Sequence, residues 1–261
     1  MNNFEVYLQS QRENAGPPTL ETRRAGTLDL DLGPLEAHYR RQGEAAFRYF
    51  CKFSELWMSP QCREAIEPGA SIVFIPARIL SEKLQGSEMV ETGGEFRELL
   101  ERTRRTALLV WTIGGRIEEQ ISRYCEGNER LVGFLLDAAT SLLLNEMHNV
   151  LRALVKEEAL SLFSLFPIAE YYPGVGSPDS SLIRPILDIS DADRRLGLAT
   201  NDQMMIHPKK SQCSVVLLGE EKDSRILVNS PCIPCQGKKC MYFQLGGCHV
   251  GRAGGSVTHG S

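Results

Sequence analysis

Ala107-Leu-Leu-Val-Trp111 is a continuous apolar run closed by Gly114-Gly115, and a stretch without Gly or Pro after Gly133 follows it from Leu131 to about Phe163. The first reads as a buried strand. In the second, apolar residues recur at three- and four-residue intervals, which predicts a long helix. Its middle, Ala138-Ala-Thr-Ser-Leu142, is small enough to pack closely against a neighbour. A buried strand beside a long helix points to a mixed fold.

Working outward, Ser71-Ile-Val-Phe-Ile75 between Gly69 and Pro76 reads as another strand. Leu35 to Trp57 carries apolar residues at roughly helical intervals, Glu95–Arg105 reads as a charged helix, and Arg116–Tyr124 is a further helix. Pro167 is expected to close the long helix. A turn-rich segment, Tyr171 to Asp179, leads to a short helix around Leu182–Ile189 and then Gly197. Ser214–Leu218 and Arg225–Val228 look like paired strands joined by a charged turn. Residues 1–30 are polar around Gly16-Pro17-Pro18 and read as a loose arm or an edge strand. The expected organisation is an N-terminal arm (1–30), a main domain (31–225), a cysteine-rich module (226–252) and a flexible Gly/Ser-rich tail (253–261).

The chain has 261 residues, 42% hydrophobic and 24% charged, enough to bury a sizeable core. A net charge of −4 gives no global electrostatic reason to bind nucleic acid or an anionic membrane. No apolar run approaches the roughly 18 residues of a membrane span. The N-terminus lacks a basic region followed by an apolar stretch, so a cytoplasmic location is expected. In that reducing compartment clustered thiols are metal ligands or redox groups more often than disulfides.

Of the eight cysteines, Cys51, Cys62, Cys125 and Cys213 are scattered and read as small buried hydrophobes. The others form Cys232-x2-Cys235-x4-Cys240-x7-Cys248. Thiolates are soft, strongly donating ligands suited to zinc and iron–sulfur clusters. Loops of two, four and seven residues let four sulfurs wrap one compact object, with Gly237, Gly246 and Gly247 supplying backbone freedom. Structural zinc sites commonly separate two Cys-x2-Cys knuckles by a dozen or more residues, so the spacing favours a [4Fe–4S] cluster, with Zn²⁺ as the alternative. Lys238, Lys239 and Arg252 make the module basic, whether as a solvated surface or to tune an anionic cluster and dock an acidic partner.

Val110-Trp-Thr-Ile-Gly114, Leu136-Asp-Ala-Ala-Thr-Ser-Leu142, Tyr172-Pro-Gly-Val-Gly176, Gly197-Leu-Ala-Thr200 and Met204-Met-Ile-His-Pro-Lys-Lys-Ser211 occur in that order. Over about residues 30–220 they resemble the reactivation domain of cobalamin-dependent methionine synthase and similar free-standing bacterial proteins. The resemblance implies an α+β fold with a twisted, mainly antiparallel sheet and long helices. It also implies a surface that caps a corrin while cobalt is reduced. The corrinoid-facing residues it implies are Tyr172, Pro173, Gly174, Val175, Gly176, Met205, His207 and Ser211, with Lys209 and Lys210 toward corrin propionamides or a partner's acids. The family's S-adenosylmethionine motif, Arg-x-x-Pro-Gly-Tyr, falls here on Glu170, Pro173, Gly174 and Val175. An acid in place of the arginine repels a ligand carboxylate, so binding of S-adenosylmethionine is not expected.

Together these features point to an iron–sulfur protein of an anaerobe that binds a corrinoid, free or on a partner protein. It would pass electrons from a donor such as ferredoxin for reductive activation of cobalt, as an activator more than a turnover enzyme. A homodimer is one expected form. The alternatives are a cobalamin carrier or chaperone with a structural cluster, and a zinc-binding interaction protein without redox activity.

Overall fold

The computed structural model describes residues 3–10, 19–85, 94–174, 180–220 and 227–229. The strands are β1 (Asn3–Ser10), β2 (Thr19–Thr27), β3 (Gly69–Pro76), β4 (Arg105–Thr112), β5 (Phe166–Tyr171), β6 (Ala199–Thr200), β7 (Ile206–His207), β8 (Ser211–Gly219) and β9 (Leu227–Asn229). The helices are α1 (Gly33–Arg41), α2 (Glu44–Met58), α3 (Pro60–Ala65), α4 (Ala77–Gln85), α5 (Gly94–Arg102), α6 (Arg116–Glu126), α7 (Arg130–Phe163), α8 (Ile183–Ile189) and α9 (Ala192–Leu196).

Among the described residues, seven strands form one sheet in the order β2-β1-β3-β4-β8-β5-β9, and β6 and β7 form a separate small ribbon. Only β1 with β3 and β5 with β9 run parallel; the other neighbours are antiparallel. The fold is α+β with a mainly antiparallel sheet and a long helix, as expected.

Both faces of the sheet are covered, which is why its central strands read as unbroken apolar runs. Ala107, Leu109 and Trp111 of β4 join a core with α1, α2, α3, α6 and α7. Leu108 and Val110 point the other way, into a core with α4, α5, α8 and α9. The 34 residues of α7 make a rod about 50 Å long across the first face.

Four expectations need correction. Residues 3–10 are neither a loose arm nor an edge strand; β2 takes the edge position. Phe4, Val6 and Leu8 alternate into the core while β1 pairs with β3 on one side and β2 on the other. The segment from Leu35 to Trp57 is two helices, because Gly43 takes φ 102° and starts α2 afresh. Ser164, not Pro167, ends α7: at φ 56° it donates its N–H to Leu160 O, and Leu165 donates to Ala159 O. Pro167 lies in β5 at an irregularity in the ladder, where its missing N–H is tolerated. Finally, β8 and β9 are not partners, because β5 lies between them.

The close approach of α6 and α7 depends on Gly133. A Cβ there would lie 2.7 Å from Cys125 Sγ and 2.8 Å from the Cys125 backbone nitrogen. Backbone cannot swing aside, so Gly133→Ala is expected to destabilise the fold by about 1–3 kcal/mol. A lower urea midpoint at unchanged slope would register it; an unchanged midpoint would refute the packing account.

Candidate functional site

The sheet register gathers the expected corrinoid-facing segments at one end. β4 finishes at Thr112 opposite Ser211, the first residue of β8. β5 finishes at Tyr171 opposite Val215 of the same strand. The turn Tyr172–Gly174 and the segment Met204–Ser211 therefore leave neighbouring strands at the same sheet end.

Tyr172 is buried, Pro173 half-buried and Gly174 exposed. Gly174 has φ 84°, a conformation that strains any residue with a Cβ. Val175 and Gly176 lie outside the described residues. The β6–β7 ribbon carries the other segment on a tight loop. Asn201 Oδ1 accepts the N–H groups of Gln203 and Met205, each at 3.0 Å, and Met204 sits at φ 59°. That leaves Met205 at the tip, 53% exposed. His207 is exposed beside it, next to a cis bond to Pro208. It borders an open depression of about 590 Å³ that also involves Gly115, Glu118 and Glu119.

Ser211 and Lys210 do not face outward in the same way. Ser211 is buried and donates its hydroxyl to Thr112 Oγ1 at 2.8 Å. Lys210 is consumed internally, which overturns its expected role toward propionamides. Its Nζ meets Asp137 Oδ1 at 2.7 Å and Ser141 Oγ at 2.6 Å. Its N–H donates to Glu118 Oε1 at 2.7 Å, and its carbonyl accepts from Ile113. The lysine thus fastens the segment to α6, α7 and β4, while Lys209 stays exposed on the outside.

Behind the Tyr172 turn lies a polar cluster that the sequence reading missed. Glu170 points from β5 toward α7 and is 1% exposed. Its Oε1 accepts from Ser214 Oγ at 2.8 Å and meets His148 Nε2 at 2.6 Å. Arg152 Nε stands 3.3 Å from Oε2. The Tyr172 hydroxyl lies beside the same imidazole, 3.3 Å from Nδ1 and 3.2 Å from Nε2. The imidazole also stacks on Trp111, centroids 4.9 Å apart, whose Nε1–H donates to Leu144 O on α7. One available signal was the spacing of His148 and Arg152: four residues apart, they share a helix face. The other was a lone acid in the apolar context Ile168-Ala-Glu-Tyr171.

Burial works to raise the Glu170 pKa, but His148, Arg152 and Ser214 outweigh it and hold the carboxyl below the ordinary glutamate range. Among the scattered cysteines, burial pushes Cys62 up to about 11 and Cys213 up to about 12, the inert behaviour expected. Cys51 and Cys125 are exposed instead. Cys232, Cys235, Cys240 and Cys248 lie outside the described residues. Among the described residues no group of three or more His, Cys, Asp or Glu is arranged to hold a metal ion, and no helix is long and apolar enough to cross a membrane.

No family model and no curated protein matches the chain. Among solved structures it is similar to the crystal structure of the MetH reactivation domain bound to AdoHcy, with a TM-score of 0.45 and 10% sequence identity. The match covers 71% of this chain and 70% of that chain.

Glu170→Gln removes the charge that His148 and Arg152 share, at an expected cost of about 3 kcal/mol near neutrality. A carboxyl whose pKa is lower in the folded protein stabilises it above the unfolded value of about 4.3, and that contribution fades as pH falls below it. The gap between wild type and Glu170→Gln in urea denaturation should hold from pH 7 to about pH 5 and shrink in more acid solution. A gap that widens on acidification would contradict the assignment.

Proposed function

We propose that this protein binds a corrinoid, free or carried by a partner protein, and delivers electrons to its cobalt through a [4Fe–4S] cluster held by Cys232, Cys235, Cys240 and Cys248. The observation that carries the proposal is the pairing of β9 with β5. The two run parallel with Asn229 beside Tyr171, so the chain leaves the sheet toward its cysteine segment at the end that bears the Tyr172–Gly174 turn. Cys232 follows Asn229 by three residues, a reach of at most about 11 Å. An electron carrier and a cap for its acceptor have to be close, and the topology supports that closeness.

The donor set suits the cluster: four thiolates, local glycines and nearby cations. When bound, such a cluster supplies single electrons at potentials within about −700 to +450 mV, a range that includes strongly reducing values. The chain's own residues bind and orient. Met205 offers a polarisable thioether at the ribbon tip, His207 an imidazole beside it, and Gly174 a backbone without a side chain for close approach to a flat ring. Ser211 contributes from beneath by fixing β8 to β4. S-adenosylmethionine has no part in the proposal. Glu170, at the position of the family's arginine, is turned inward and bonded to His148 and Ser214.

Protein purified without oxygen is expected to be brown and to carry about four iron and four sulfide per chain. Cys235→Ser should lose most of both. Iron-free protein holding zinc would overturn the cluster assignment. Mixing with cobalamin should shift its visible spectrum, and His207→Ala or Met205→Ala should weaken that binding about tenfold, the order of one lost contact. Photoreduced protein should then generate cob(I)alamin; an unchanged cobalamin spectrum would overturn the corrinoid assignment.

A further inference from the structure

A second cavity lies between α7 and β5, bounded on the strand by Pro167 and Glu170. Its volume is about 260 Å³, and Arg152, Lys156, Asn149, Pro167, Glu170 and Val216 contribute to its wall. The wall combines three kinds of group. Arg152 and Lys156 are four residues apart on α7 and therefore stand on one face of the helix. Arg152 is about one-third exposed, and its interaction with Glu170 runs through Nε, which leaves the Nη groups without an acceptor among the described residues. Lys156 is exposed and has no acidic partner among the described residues.

Glu170 also lines this space, and its Oε2 stands 3.3 Å from Arg152 Nε. That oxygen is buried and accepts no hydrogen bond from a described group, although its sister oxygen accepts from both Ser214 and His148. A buried carboxylate oxygen with spare lone pairs is costly unless a donor reaches it. Val216 and Pro167 supply apolar wall between the cations and this oxygen.

We propose that this cavity binds a small organic anion, a carboxylate or phosphate ester that also carries an O–H or N–H donor. Arg152 and Lys156 seat the anionic group, and Glu170 Oε2 accepts a hydrogen bond from the donor. At about 260 Å³ the space falls just under the roughly 300–1,000 Å³ typical of drug-sized ligands, so it suits a small metabolite and excludes a corrin ring. Because Glu170 also holds His148, and His148 meets the Tyr172 hydroxyl, occupancy would bear on the turn that follows β5. The site does not rest on the proposed corrinoid function.

The test uses the full chain, prepared without oxygen, in thermal unfolding with millimolar inorganic phosphate or lactate against chloride at matched ionic strength. One of the two should raise Tm by about 2–4 °C, and which one does so separates the phosphate class from the carboxylate class. Lys156→Met, at an exposed position, should keep the basal Tm and lower the apparent affinity about tenfold, as the loss of one charged contact predicts. No shift from either anion, or an undiminished shift in Lys156→Met, would overturn the proposal.

Discussion

A carboxylate sealed between a helix and a sheet must be matched by donors or the interface does not form. Glu170 is that group here, and its matching runs through every layer of the larger core. Ser214 answers it from the next strand, His148 and Arg152 from α7, and Trp111 braces the imidazole from β4 while bonding the helix backbone itself. Apolar burial supplies the attraction between α7 and the sheet, but it is tolerant of sliding and rotation. The polar contacts are directional, and they select one seating of the helix. Glu158, paired with Arg23 of β2, repeats the device six residues beyond Arg152 on the same helix.

The central architecture was readable because burial on two faces leaves a plain imprint. Residues 72–75 and 107–111 are unbroken apolar runs, and α7 is an uninterrupted helical pattern; each appears close to its expected bounds. Weaker imprints failed for identifiable reasons. In β1 only Phe4, Val6 and Leu8 are apolar, an alternation that signals a half-buried strand but was masked by the polar residues and prolines that follow. The break at Gly43 depends on a positive φ, which a glycine permits without announcing. Strand adjacency was the least legible, since nothing local in residues 214–218 or 225–228 says that β5 enters between them.

The candidate surface was legible in part. Tyr172 to Gly174 and Met205 to His207 do emerge from neighbouring strands at one end of the sheet, and the close turns there have conformational reasons. Ser211 and Lys210 belong to the same segment yet serve it from inside, because the segment needs fastening as well as exposure. The order of motifs along a chain says which residues travel together. It does not say which of them turn toward solvent, and only the register of β8 against β4 decides that.

The ladder at the heart of the sheet joins Thr112 to Ser211 across 99 residues of chain. During synthesis β4 and α7 are therefore complete well before β8 arrives to close the layer they share. Until then a helix about 50 Å long rests on α2, α6, β4 and β5 without the part of its bed that Val216 and Leu218 of β8 complete. Topology of this kind folds slowly and leaves intermediates with exposed apolar surface and open strand edges. A nascent chain stalled before β8 would be a natural client for a chaperone, and truncations upstream of Ser211 would be prone to aggregate where the whole chain is not.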